Sequence, residues 1–302
     1  MKAKSLKKRR FGQMRGYGAL TAVGFTILAV LSISLLVPTV WAFITTFKTE
    51  EDFYYNVFGL PERWAFENYA KAFIQMNLTV NPTGTNPQKI YVWQMFGNGV
   101  IYAVGCTFVS ILVPACVAYG CARFRSIAGS VIHATVLLVM VIPIVGSLPS
   151  EMQIVRALGF YNNMLGMFVM KANFLGTNFL IFYAAFKGVS QDYADAASID
   201  GAGHWTVMLR IMFPLVSSVF STLALLALIG FWNDSQTPLQ YLPDVPNLAL
   251  GLFKFNQKTD GELVNVPMKL TGCFIMFMPI LIIFIAFRKK IMMNVSIGGL
   301  KG

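Results

Sequence analysis

The stretch Lys187–Pro214, KGVSQDYADAASIDGAGHWTVMLRIMFP, is a polar interval of helical character held between two apolar runs. Ser190 is placed to cap a short helix with Asp192 in its first turn, and Asp200-Gly201 is a natural break before a second helix from about Gly203 to Met212. A helix-turn-helix of this length is too short to cross a bilayer. Its small residues Ala194, Ala196, Ala197 and Ala202, with Ile199 and Trp205 nearby, predict a face that a partner can approach closely.

Outward from this interval the chain is apolar. Of 302 residues 56% are hydrophobic and 12% charged, and several apolar runs approach the roughly 20 residues needed to span a bilayer. That is the composition of a polytopic membrane protein, and the expected fold class is all-α. A net charge of +11 would suggest a polyanionic partner in a soluble protein. Here its distribution along the chain matters more, and nucleic-acid binding gains no support. Cys106, Cys116, Cys121 and Cys273 all fall in apolar segments without metal-type spacing, so they are expected to pack rather than to form disulfides or bind metal.

The first 16 residues hold Lys2, Lys4, Lys7, Lys8, Arg9, Arg10 and Arg15, and an apolar run from Tyr17 to about Phe43 follows. It exceeds the about 7 to 15 residues of a signal core and lacks a clear small-residue cleavage site, so an uncleaved first helix over 17–44 is expected. Residues 45–91 read as an external loop, with Glu50, Glu51, Asp52, Glu62, Glu67 and a turn-rich run from Asn81 to Pro87. Further spans are expected at about 92–122, 127–148, 162–186, 213–232 and 270–287. These five form a core over 92–287, with a second external loop over 233–269 and a tail over 288–302.

Charge tests the six-span topology independently. With both termini cytoplasmic, the inner side holds 15 of the 24 Lys and Arg: the seven above, Arg123, Arg125, Lys187, Arg210, Arg288, Lys289, Lys290 and Lys301. Of the 13 acidic residues it holds only Asp192, Asp195 and Asp200, so the positive bias places the termini and the 187–214 loop inside. Pro114 and Pro143 are expected to kink the second and third spans. Lys171, Asn173 and Asn178 interrupt the outer half of the fourth, Lys171 either reaching for the outer surface or serving a function at membrane depth.

No catalytic constellation is legible. His133 and His204 have no neighbouring Cys or Glu set, so no metal site is expected. The Gly-rich phosphate loop with its Lys and Ser or Thr is missing, and the chain is not expected to bind ATP.

Asp195-Ala196-Ala197, Asp200-Gly201-Ala202, Ile211 and Pro214-Leu215 together resemble the signature of binding-protein-dependent ABC transporter permeases. The family pattern is Glu-Ala-Ala, two residues, Asp-Gly-Ala, then Phe, Ile and Pro-Leu, between the antepenultimate and penultimate spans. This chain departs from it with Asp195 for Glu, Met208 for Phe, and Ser218 where a second Pro often stands. The likeness extends to the maltose-type six-span carbohydrate subunits through Thr46-Phe47-Lys48, Asn68-Tyr69, Asn98, Ala118-Tyr119, Ala122-Arg123-Phe124, Leu158-Gly159, Trp232-Asn233, Pro238-Leu239 and Gly298-Gly299-Leu300-Lys301-Gly302.

That resemblance implies a second permease subunit, two ATPase subunits that use ATP and Mg, an extracytoplasmic solute-binding protein, and a sugar as cargo. The two short helices are then coupling helices seated in an ATPase cleft. Asp195 bonds a basic ATPase residue, Gly201 permits the turn, and Pro214 opens the next span. The external segment Asp234–Pro267 faces the binding protein and is stiffened by Pro238, Pro243, Pro246 and Pro267. Sugars are held by aromatic faces and by amides or hydroxyls, so Asn98, Tyr102, Trp232 and Asn233 are candidate substrate-path residues, though each also suits packing. Carriage of a peptide or phosphate, or a self-contained channel or membrane enzyme, remain alternatives.

Overall fold

The computed structural model describes residues 2–80, 87–124, 126–142, 146–258 and 265–295, with side chains described between Gly18 and Phe287 of those ranges. Pro143, Arg125, the turn-rich run up to Thr85 and Asn86, and the Gly298–Gly302 motif lie outside the described residues. In chain order the helices begin with α1 (Lys2–Thr45), α2 (Glu50–Tyr55) and α3 (Glu67–Gln75). A hairpin of β1 (Asn77–Val80) and β2 (Gln88–Tyr91) follows, antiparallel, with Asn77 opposite Tyr91 and Val80 opposite Gln88. Then come α4 (Val92–Arg123), α5 (Ile127–Val141), α6 (Leu148–Ala157), α7 (Met164–Lys171), α8 (Thr177–Gly188) and α9 (Asp192–Ile199). After these lie α10 (His204–Thr206), a π-helical turn Val207–Met212 and α11 (Phe213–Leu215). The series closes with α12 (Ser217–Trp232), α13 (Gln236–Tyr241), α14 (Leu248–Asn256) and α15 (Val266–Val295).

Among the described residues, three helices are long and apolar enough to cross a membrane: Leu20–Thr45, Val92–Arg123 and Val266–Phe287. A fourth crossing is available if His204–Leu215 and Ser217–Trp232, which meet at 76°, count as one broken span. The expected third span is represented by α5, 15 residues long. The expected fourth is interrupted as its polar residues suggested, α7 ending at Lys171 and α8 starting only at Thr177. Asn173 accepts the amide of Leu175 at 2.8 Å in the break. α4, by contrast, runs through Pro114 without ending.

One compact unit comprises the described residues up to Ala72 with Asn265–Phe274, and the other comprises Phe73 to Lys258 with Ile275 onward. In the first, the end of α1 and the segment after it are buried: Thr45, Thr46, Phe47 and even Lys48. Buried backbone carbonyls there are satisfied by Asn68, whose Nδ2 donates to the carbonyls of Thr46 and Lys48, both at 2.8 Å. Tyr69 pairs its hydroxyl with Thr46 Oγ1 at 3.0 Å. The Lys48 ammonium donates to the carbonyl of Asn56. Phe47 sits among Phe43, Trp64, Phe66 and Tyr69, ring centroids 5.1 to 5.5 Å away. Burial pushes the Tyr69 phenol up and the Thr46 bond pulls it back, so it stays protonated at neutral pH.

The second unit is assembled on α4, which packs against α7, α8, α12 and α14. Between helices in lipid, water exclusion supplies little drive, so close van der Waals packing at small residues must do the work. α4 meets that need with fully buried Ala103, Ala115 and Ala118. At Gly105 a Cβ would meet the outer edge of the Phe168 ring of α7, so a larger residue there would push that ring aside. Phe179, Phe182 and Phe186 of α8 are fully buried, and Phe220 of α12 packs at a tilt against Phe182 and Phe213, ring centroids 4.6 and 4.8 Å away.

Removing the Asn68 amide strands buried carbonyls, a loss of about 2 kcal/mol. Asn68→Ala should therefore lower the thermal midpoint of the purified chain in detergent. Thr271→Val, which removes only a 3.4 Å bond to the Thr46 carbonyl and a local one, should lower it less; an unchanged N68A midpoint contradicts this role for Asn68.

Candidate functional site

The helix expected from Ser190 forms as α9. Ser190 Oγ accepts the Asp192 amide at 3.3 Å and donates to Asp192 Oδ2 at 2.8 Å, while Gln191 occupies the cap position itself. At the other end, Asp200-Gly201-Ala202 is a Schellman termination. Gly201 takes φ +81°, its amide donates to Ser198 O at 3.1 Å, and the Ala202 amide reaches back to Ala197 O at 2.9 Å. The left-handed residue must be glycine to avoid strain, and Ala202 folds inward beside Ala197 to close the motif.

The expected single small face is divided. Ala197 is buried and Ala194 and Ala202 are half-buried against the chain's own core, together with Val207, Met208 and Met212. What faces outward is larger: Ile199 is 86% exposed, Trp205 73% and Tyr193 54%, with Ala196 also exposed. The helical periodicity placed these residues on one helix pair; the turn at Gly201 sends the alanines inward and the bulky apolar residues out.

The second helix also differs from expectation. It continues from His204 to Leu215 rather than ending at Met212, and its middle widens into the π turn, where the Phe213 amide bonds Met208 O, five residues back. Pro214 has no amide for Arg210 and its ring would crowd that carbonyl in a regular helix, so the wide turn relieves the conflict. Pro214 consequently closes this arm instead of opening the next span; the break is at Val216, and α12 starts at Ser217. Ile211 is half-buried, while Pro214 and Leu215 are exposed.

One side chain binds the interval to the rest of the unit. Arg123, the last residue of α4, donates from Nη1 to Gln191 Oε1 at 2.8 Å, and from Nη2 to Val189 O at 2.9 Å and Met212 Sδ at 3.4 Å. Gln191 Nε2 in turn donates to Asp195 Oδ1 at 3.3 Å. A planar guanidinium thus ties both ends of the helix-turn-helix to α4, and Gln191 relays that hold to the otherwise exposed Asp195 carboxylate. In the sequence Arg123 registers as a cationic residue at a span end, which is the signal of topology; nothing in the spacing reveals that it reaches residues up to 89 positions away.

The candidate substrate-path residues lie around the segment after α12. Tyr102 is fully buried and donates to Asp234 Oδ2 at 2.8 Å. Asn98 Nδ2 donates to Pro246 O at 3.1 Å, and Trp232 Nε1 to Met276 O at 3.1 Å. Asn233 is exposed, its amide bonded to Ile229 O at 2.9 Å. Asp234 Oδ1 also accepts the Thr237 amide at 3.0 Å, and Lys171 Nζ donates to Thr237 Oγ1 at 3.4 Å. Lys171 therefore fastens onto this loop. Asn162, held at φ +56°, exchanges two bonds with Asp244 at 2.6 and 3.1 Å. Burial and the Glu151 carboxylate push the Tyr241 phenol up, keeping it a neutral part of the same loop. Pro238 and Pro267 fall in the first turns of α13 and α15, where a missing amide costs nothing.

With this geometry in place, known proteins supply the family. The family described as binding-protein-dependent transport system inner membrane component matches residues 116–291, which include the whole 187–214 interval. The diacetylchitobiose uptake system permease protein NgcG of Streptomyces coelicolor is 24% identical over 92% of this chain and 88% of its own length. The multiple sugar-binding transport system permease protein MsmG of Streptococcus mutans is 25% identical over 92% of this chain and 96% of its own. A solved bacterial ABC transporter involved in import of the acidic polysaccharide alginate contains a chain that superposes with TM-score 0.70 at 21% identity, covering 91% of this chain and 96% of that one; it shares the fold. The chain belongs to the inner membrane components of binding-protein-dependent transport systems, and as an ABC transporter permease it is a non-catalytic, multi-pass subunit of a bacterial membrane.

Proposed function

We propose that this chain is a permease subunit of an ATP-driven importer for a sugar or oligosaccharide, and that the 187–214 interval is its coupling element. The observation that carries the reading is the pairing of an outward apolar face, Tyr193, Ile199 and Trp205, with the Arg123 clamp behind it. An exposed patch of this kind in a membrane subunit is a protein-docking surface. A docking surface fastened to a bilayer-length helix transmits force. In this reading six spans with cytoplasmic termini place residues 1–16, the interval and 288–302 inside, and 45–91 and 233–269 outside. A second permease and two ATPase subunits complete the assembly, ATP and Mg are handled by the ATPases, and an extracytoplasmic binding protein delivers the cargo.

The sugar assignment is supported by relatives named for diacetylchitobiose and for multiple sugars. Asp195, Ala196, Asp200 and Leu215 present the contact surface, Gly201 and Ala202 shape it, and Ala197 and Ile211 seat it on the core. On the outer side, Asn98 and Tyr102 act by holding the Asp234–Asn247 segment in position and Trp232 by bonding the Met276 carbonyl of α15, leaving Asn233 as the exposed member of the four.

Hydrogen bonds to a charged donor are worth about 1.5 to 3 kcal/mol. Arg123→Ala should therefore raise amide exchange across Val189–Asp195 by about tenfold or more while the chain still inserts, and Arg123→Lys, which keeps the charge but loses the fork, should fall between. Protection equal to wild type in R123A contradicts the clamp. Gly201→Val places a β-branched residue at φ +81° and should cut ATP-driven uptake by about tenfold or more, with membrane insertion unchanged. Normal uptake in G201V contradicts the coupling role. Uptake by the assembled transporter from a panel of oligosaccharides, peptides and phosphate tests the cargo class: saturable sugar uptake is expected, and peptide or phosphate uptake alone overturns it.

A further inference from the structure

A cavity of about 1220 Å³ lies where the end of α4, the start of α5 and the end of α8 meet the 187–214 interval. Its walls are mostly polar and include Arg123, Lys187, His133, Ser126, Ser130 and Asp195. Among the described residues neither cation has a carboxylate within ion-pair distance: Arg123 spends its terminal nitrogens on the neutral groups of Gln191, Val189 and Met212, and the Lys187 ammonium lies 5.5 Å from the Tyr183 ring. One acid, Asp195, stands against two bases. The positive end of the 15-residue α5 adds to the same sign, with Ser126 capping it by accepting the Gly129 amide at 3.1 Å.

The cavity runs along α5. His133 lies six residues into α5, about 9 Å along it, and packs at a tilt against Tyr183, ring centroids 4.5 Å apart. α5 leaves Ile127 86% and Val131 58% exposed, an apolar border suited to acyl chains. A basic polar cleft beside a lipid-exposed helix suits an amphiphile whose head is anionic and whose tails are not, rather than a freely soluble anion. We propose that this cleft binds the phosphate of an anionic phospholipid, with Lys187, Arg123 and the α5 N-terminus as the positive groups. Its assignment to the inner leaflet rests on the topology proposed above; binding itself does not. Through Arg123 a bound headgroup would stiffen the clamp behind the interval.

The test titrates the full chain in neutral detergent with dioleoyl phosphatidylglycerol, dioleoyl phosphatidylcholine or inorganic phosphate, and counts adducts by native mass spectrometry. Wild type should bind phosphatidylglycerol at least about tenfold more tightly than phosphatidylcholine, with millimolar phosphate failing to displace it. Each charge near the headgroup is worth about fivefold. Lys187→Gln should therefore weaken the phosphatidylglycerol adduct about fivefold, and Ser130→Glu, which adds a carboxylate at an exposed helical position, should weaken it comparably; neither should alter phosphatidylcholine binding. Equal affinity for the two lipids, full displacement by phosphate, or both variants binding as wild type overturns the proposal. Sugar uptake is measured separately, so failure here leaves the transport reading standing and failure there leaves this one.

Discussion

The 187–214 interval depends on one guanidinium. Arg123 ends α4 and holds Gln191, Val189 and Met212 at once, so residues before α9 and residues in the π turn are fixed to the same point. Without that fork the interval would be a polar connection whose short helices, of eight and three residues before the π turn, are too brief to persist alone. Lysine could supply the charge but not three directed bonds in one plane. The clamp also orients Gln191, and through it Asp195, from within the chain.

Two backbone devices complete the element. The Schellman turn at Gly201 reverses the chain in three residues and turns Ala197 and Ala202 toward the aromatic core, which leaves Ile199 and Trp205 outside. The π turn absorbs Pro214 and delivers Met208 and Met212 into the same core. Packing then continues without interruption through Phe186, Phe213 and Phe220 into α12. The interval behind the outward face is therefore joined to α4 through hydrogen bonds and to α12 through ring contacts.

Much of this was legible in the residues. Composition and run length identify a polytopic helical chain, the polar interval stands out between apolar runs, and Asp200-Gly201-Ala202 reads as a helix stop because only glycine takes a left-handed conformation cheaply. Lys171 and Asn173 mark the break between α7 and α8, whereas Asn178 falls inside α8 and bonds the Ser110 carbonyl of α4. Less was legible where long-range contacts decide. The small residues of α9 look equivalent by periodicity, yet the direction of the Gly201 turn sorts them inward or outward. Pro214 looks like a helix start because its missing amide is harmless there, whereas a widened turn makes it tolerable near a helix end. Tyr102 and Trp232 have the chemistry of sugar contacts, but Asp234 and the Met276 carbonyl take their polar atoms. Pairings across 132 and 44 positions leave no local trace.

If the 187–214 interval is the coupling element proposed above, it moves with the α4–α5 corner rather than on its own hinge. Spin labels at Ser198 on α9 and Ala128 at the start of α5, both exposed, report that distance by double electron–electron resonance in the assembled transporter, with and without trapped ATP. A rigid element predicts a change no larger than about 2 Å, the size of a packed-helix shift. A displacement of about 5 Å or more, a whole helical turn, would show the interval swinging free of Arg123 and contradict the account.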